Sequence, residues 1–173
     1  MSVEHAVRVG IVLGSDSDLD VMLEAVKVLD ALEIGCEVVV ASAHRTPKRT
    51  EEYASSAAGR GLGVLIGAAG GAAALPGVLA ASSPLPVIGV PIASTPLGGM
   101  DALFSIAQMP PGVPVATVAV GKWGATNAAI LAAQILSVGD AALRKRLAAY
   151  RAKLAAEVED RARRVADKLK SRG

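Results

Sequence analysis

Two short stretches of this 173-residue chain carry side chains suited to an anionic ligand that exchanges a proton: Gly14-Ser15-Asp16-Ser17-Asp18 and Ser42-Ala43-His44-Arg45-Thr46-Pro47. Ser15, Ser17 and Ser42 supply hydroxyls, and Arg45 supplies a fork of donors that fits a phosphate bidentately. His44 is one of only two histidines, and an imidazole beside a cation can exchange a proton near neutral pH. Asp18 accepts hydrogen bonds, which suits a pair of ribose hydroxyls better than a phosphate. Gly14 permits a tight turn, and the helix expected after it offers free N–H groups to an anion. On these residues alone a second account stays open, in which Ser and Asp merely cap that helix.

A third stretch, residues 67–77, reads GAAGGAAALPG. Side chains this small let a flat ligand lie against the backbone of Gly70, Gly71 and Ala72, with N–H groups reaching its edge, although such loops also serve close packing. There is no Walker loop and no GxGxxG pattern. The second histidine, His5, sits in the amino-terminal arm and is given no chemistry. With two distant histidines, one cysteine and no acidic cluster at ligand spacing, no metal site is expected.

These stretches need a scaffold that brings them to one place. Apolar, Val- and Ile-rich runs at 7–13, 37–41, 64–66, 87–90 and 115–120 read as strands, each followed by Gly, Ser or Pro. Helical patterns lie between them at 19–32 after a capping Asp18, 47–59 with Pro47 at its first turn, 75–81, 101–108 and 124–136. Strands apolar on both faces and joined by crossover helices imply a buried parallel sheet. The predicted fold is therefore a three-layer α/β/α sandwich, flavodoxin-like or Rossmann-like, with a long carboxy-terminal helix. In such sheets ligands bind beyond the carboxyl ends of the strands, where all three stretches fall. Residues 1–139 form the expected single nucleotide-binding domain, and residues 140–173 a helix packing on it or on a neighbouring subunit. Leu143, Leu147, Tyr150, Leu154, Val158, Ala162, Val165 and Leu169 make that helix's apolar stripe.

Hydrophobic residues are 52% of the chain but aromatics only 2%, so the core must be built from close-packed Ala, Val, Leu and Ile. Such a composition predicts apolar surface buried between subunits as well as within one. The basic excess is confined to the tail: residues 140–173 hold 11 Lys and Arg against 5 Asp and Glu, whereas the first 139 hold 7 against 11. Because the tail's charges are mixed and aromatics are scarce, it reads as a solvated helix face, with no nucleic-acid partner. The lone Cys36 is expected to be inert core and fits a reducing cytoplasm. No apolar segment runs long enough for a membrane span, and no secretory leader is visible.

Taken together, GSDSD at 14–18, SAHRTP at 42–47, GGAAALPG at 70–77, PVIGVPI at 86–92, MDALFSIAQMPPGVPVAT at 100–117 and GATNAAILAAQIL at 124–136 resemble the bacterial class I N5-carboxyaminoimidazole ribonucleotide mutases of purine biosynthesis. The resemblance implies a cytoplasmic homo-octamer with active sites at subunit contacts. It implies a carboxyl moved from the exocyclic nitrogen to ring carbon C4 of an imidazole ribonucleotide, without metal, ATP or biotin. Carried over residue by residue, Ser15, Ser42 and Arg45 become phosphate ligands, Asp18 the ribose ligand and His44 the catalytic acid and base. The chain departs from the family's GGAAHLPG at Ala74, where the pattern has a histidine. Leu19 in place of Trp and Ala102 in place of Ser are milder departures. Three accounts of Ala74 are open: a tolerated substitution in an active mutase, an impaired variant, or a paralogue acting on another nucleotide. A non-catalytic nucleotide-binding module and a structural assembly protein are the competing classes.

Overall fold

The computed structural model describes residues 6–171, so His5 lies outside the described residues. The strands are β1 (Val7–Leu13), β2 (Gly35–Val40), β3 (Val64–Gly70), β4 (Val87–Ile92) and β5 (Ala116–Thr117). They form one five-stranded sheet, parallel throughout, in the order β2-β1-β3-β4-β5. Around it lie α1 (Leu19–Ala31), α2 (Pro47–Ala57), α3 (Leu75–Ser82), α4 (Met100–Ala107), α5 (Lys122–Ser137) and α6 (Ala141–Lys170). This strand order is flavodoxin-like, and its winding reverses between β1 and β3, where a crevice must open at the carboxyl ends.

Side-chain alternation along the strands separates two cores. Val9, Ile11 and Leu13 of β1 pack with Ala25 and Leu29 of α1 and Ala125 and Ala129 of α5. Val12 and Leu65 face the other way, onto Ala54 of α2, Leu79 of α3 and Ile106 of α4. Alanines on α5 let it approach the sheet closely, so a core with few aromatics is filled by short side chains at close range.

Gly10 is required on the second face. A Cβ there would meet Tyr53 Oη at 2.3 Å and Leu65 Cδ2 at 2.9 Å. Tyr53 is held in place, because its hydroxyl donates to Glu37 Oε1 at 2.8 Å and the same oxygen accepts from Arg60 at 2.6 Å. The Arg60 guanidinium also lies 4.7 Å over the Tyr53 ring. Burial, then the Glu37 carboxylate, push the Tyr53 phenol well above its usual range, so it stays a donor. This cluster fixes α2 on β2, and with it the loop that enters α2.

Several sequence expectations shift. β3 runs to Gly70, so four residues expected in a Gly/Ala loop are strand, paired in register with Gly89 to Ile92 of β4. β5 is two residues rather than six. Pro91 of β4 accepts from Gly121 N–H at 2.9 Å on that side but has no N–H to return, so the ladder breaks beyond Thr117. Cys36 lies in β2 only half-buried, not in the core, with burial pushing its thiol pKa up.

α6 is 30 residues, roughly 45 Å at the usual helical rise. Asp140 caps it by accepting from Leu143 N–H at 2.9 Å and pairs with Arg8 at 2.8 Å. Leu143 and Leu147 are buried and Tyr150 packs beside them. Beyond that point Leu154, Val158, Val165 and Leu169 are all exposed, so the second half of the stripe faces solvent. Among the described residues no helix is long and apolar enough to cross a membrane.

Candidate functional site

A cavity of about 460 Å³ opens at the reversal point between β1 and β3. Gly14, Ser15, Ser17 and Asp18 reach it from the end of β1, and Ser42, Ala43, His44 and Arg45 from the end of β2. Ala69, Gly70, Ala73, Ala74 and Leu75 line it from β3 and the turn into α3, and Ser94 from beyond β4. A smaller hollow of about 280 Å³ adjoins it, shared by Ser15, Ser42 and Arg45 and flanked by Thr46 and Arg49.

The first loop is built around Asp18. Its carboxylate does not cap α1; it turns back and accepts from Ser15 N–H at 3.0 Å, while Ser15 Oγ accepts from Ser17 N–H at 3.4 Å. This reciprocal box closes a short 3-10 turn, Asp16–Asp18, that the sequence did not suggest. Gly14 is not left-handed, and a Cβ on it would find ordinary contacts of 3.5 Å or more, so its small size leaves room rather than permitting the turn. Ser17 Oγ donates to Ser15 Oγ at 2.9 Å, and Ser15 Oγ donates to Asp16 Oδ1 at 3.1 Å. An anion bound here would draw these hydroxyls away from one another. Asp18 is only 4% exposed, and burial pushes its carboxyl pKa up; the Ser15 N–H partly offsets this, and the Asp16 charge adds to it.

The second loop is held by Thr46. Its hydroxyl accepts from Ser42 N–H at 2.9 Å and donates to Ser42 O at 3.1 Å, leaving its side chain unavailable to cap α2. Arg45 then joins the two loops: its Nη2 donates to Gly14 O at 3.1 Å and its Nε to Ser42 Oγ at 3.4 Å. The guanidinium is thereby oriented before any ligand arrives, with the rest of its fork unengaged among the described residues. His44 is exposed and lines the cavity, and among the described residues nothing hydrogen-bonds its imidazole.

The third stretch divides. Gly70 lines the cavity, but Gly71 and Ala72 do not. Ala73 N–H closes a turn onto Gly70 O at 3.2 Å, Gly71 is left-handed at φ 61°, and the Ala72 carbonyl is taken by the Ser105 hydroxyl. Ala73 is itself left-handed at φ 34°, a strain of about 1 kcal/mol that brings Ala73, Ala74 and Leu75 to the wall in place of Gly71 and Ala72. No group of three or more metal-binding side chains occurs among the described residues.

The family model described as AIR carboxylase matches residues 8–157. The chain belongs to that family. It is 58% identical over 144 residues to the N5-carboxyaminoimidazole ribonucleotide mutase of Pyrococcus abyssi, covering 83% of this chain and 82% of that one. The Thermotoga maritima mutase of the same name is 50% identical over 158 residues, 91% of each chain. Among solved structures, Treponema denticola PurE superposes with a TM-score of 0.75 at 27% identity, covering 88% of this chain and 94% of that one. Against this family background the cavity holds one polar residue that the sequence did not flag, Ser94. It stands outside every motif rich in chemistry, and it enters only because β4 ends beside Gly70.

Proposed function

We propose that this chain isomerises N5-carboxyaminoimidazole ribonucleotide to the C4-carboxylated aminoimidazole ribonucleotide in purine biosynthesis. One observation carries the assignment: a single cavity is lined by Ser15, Ser42, Arg45, Asp18 and His44 together with small residues, Gly70, Ala73 and Ala74 among them. The family membership and the names of its relatives agree with that inventory. Arg45, Ser15 and Ser42, with Ser17 at the margin, hold the phosphate; Asp18 accepts from the ribose. The ring lies over Gly70, Ala73 and Ala74. His44 gives a proton to the exocyclic nitrogen as CO₂ leaves, and takes one from C4 after CO₂ has added there. One imidazole can serve both transfers because the second restores it. No cofactor is needed for either step.

The same reading makes the active unit a homo-octamer in the cytoplasm, with the exposed half of α6 lying on a neighbour. Its assembly is supported by exposed apolar side chains at Leu97, Met100, Phe104 and Trp123, besides the outer stripe of α6.

Asp18 gives the reaction an acid limb. A carboxyl held above its ordinary value, about 3.9, protonates earlier as pH falls and then no longer accepts from both ribose hydroxyls. Ribonucleotide affinity is expected to weaken starting above the ordinary carboxylate range, read as the dissociation constant against pH. Stability moves oppositely. The folded state binds this proton more readily than the unfolded chain, so between the two pKa values the group favours the unliganded fold as pH falls. An affinity that stays flat through the whole of the ordinary carboxylate range and below it would remove Asp18 from the ligand.

The deciding experiment is turnover of N5-carboxyaminoimidazole ribonucleotide by the purified chain beside Ala74→His, with the mass in solution measured on the same preparations. Comparable rates are expected, from an assembly many times the 17.4 kDa chain. Turnover only after Ala74→His would mark an impaired mutase, and none from either would overturn the assignment. A monomer would end the octamer.

A further inference from the structure

Resting on that assignment, one hydroxyl in the cavity has no task. Ser94 lies just beyond β4; its N–H donates to Ile92 O at 3.0 Å, and among the described residues its Oγ makes no hydrogen bond. It is exposed and lines the cavity together with Gly70, Ala73 and Ala74. A Cβ added to Gly70 would fall 1.9 Å from Ser94 Oγ and 2.8 Å from Ser94 Cβ. Glycine at 70 is therefore what lets this hydroxyl stand against the end of β3.

The remaining polar groups are committed. Ser15, Ser42 and Arg45 face the phosphate, Asp18 the ribose, and Ser17 Oγ already donates to Ser15 Oγ. His44 carries the mobile proton. What has no partner is the group that migrates: CO₂, and the carboxylate it becomes, can only accept hydrogen bonds. The alanines and Leu75 that line the cavity offer no side-chain donor. Ser94 does.

We infer that Ser94 Oγ donates a hydrogen bond to the migrating carboxyl and holds it between the exocyclic nitrogen and C4. The carbamate C–N bond breaks with its electron pair staying on nitrogen, which takes the His44 proton. The C4 electron pair then forms the new C–C bond, and the C4 proton returns to His44. Ser94 keeps its own proton throughout. Its bond strengthens as negative charge develops on the carboxylate oxygens, so it favours the recapture step over binding.

The test is Ser94→Ala, assayed with substrate labelled in its migrating carboxyl. Removing an exposed hydroxyl that bonds nothing else leaves the fold intact. Expected are a kcat lower by about 10- to 100-fold, little change in KM, and a larger share of label lost as free CO₂ with unlabelled aminoimidazole ribonucleotide left behind. Gly70→Ala, which displaces the hydroxyl without deleting it, should raise the same loss of label. A Ser94→Ala enzyme with wild-type kcat and wild-type retention of label overturns the inference and leaves the mutase assignment standing. A wild type that does not turn over ends both.

Discussion

His44→Asn is expected to bind the ribonucleotide with undiminished affinity and to turn it over roughly a hundred- to ten-thousandfold more slowly, the range associated with a positioned acid–base group. Binding survives because the loop does not depend on the imidazole. Thr46 closes it onto Ser42 at both ends, and Arg45 ties it to Gly14, while nothing among the described residues bonds to His44. Asparagine keeps a polar side chain of lesser size but cannot shuttle a proton. The effect should therefore fall on kcat, with the dissociation constant measured separately by calorimetry. Retained turnover would take His44 out of the chemistry. Loss of binding in step with turnover would make it a ligand-holding group instead.

The same loop shows what a sequence can disclose. That a strand would deliver Ser42, His44 and Arg45 to one edge followed from the apolar run before them and Pro47 after them, since both signals are local. The buried parallel sheet with its crossover helices followed for the same reason, whereas which strand residues face which helices emerged only from the two cores. What escaped was set across the fold. β3 extends through Gly67 to Gly70 because β4 lies beside it in register, although Gly and Ala in that number look like a loop. β5 is cut short by Pro91, a residue on another strand. Asp18 looked like a helix cap and is instead half of a box with Ser15 one turn earlier, a geometry that depends on the 3-10 turn between them. Ser94 gave no signal because its place in the cavity depends on the missing side chain of Gly70, 24 residues earlier in the chain.

Arg45 has two jobs that one substitution would confound and a second ligand can separate. It orients the loops through Gly14 O and Ser42 Oγ, and it offers its remaining donors and its charge to the phosphate. Arg45→Met removes both, and ribonucleotide affinity is expected to fall roughly a hundredfold, about 2.7 kcal/mol, within the range for charge-assisted hydrogen bonds. The dephosphorylated ribonucleoside has no group for Arg45 to meet, so wild type and variant should bind it equally weakly. The difference between the two ligands is then the phosphate's own share, as in a double-mutant cycle. Arg45→Lys should fall between, because an ammonium restores the charge but not the fork that reaches a carbonyl, a hydroxyl and a phosphate together. Raising the salt concentration should narrow the gap between Lys and Met, since the charge that lysine restores at an exposed site is screened. If the nucleoside loses affinity as much as the nucleotide does, Arg45 acts by setting the loops, and the phosphate rests on Ser15 and Ser42 instead.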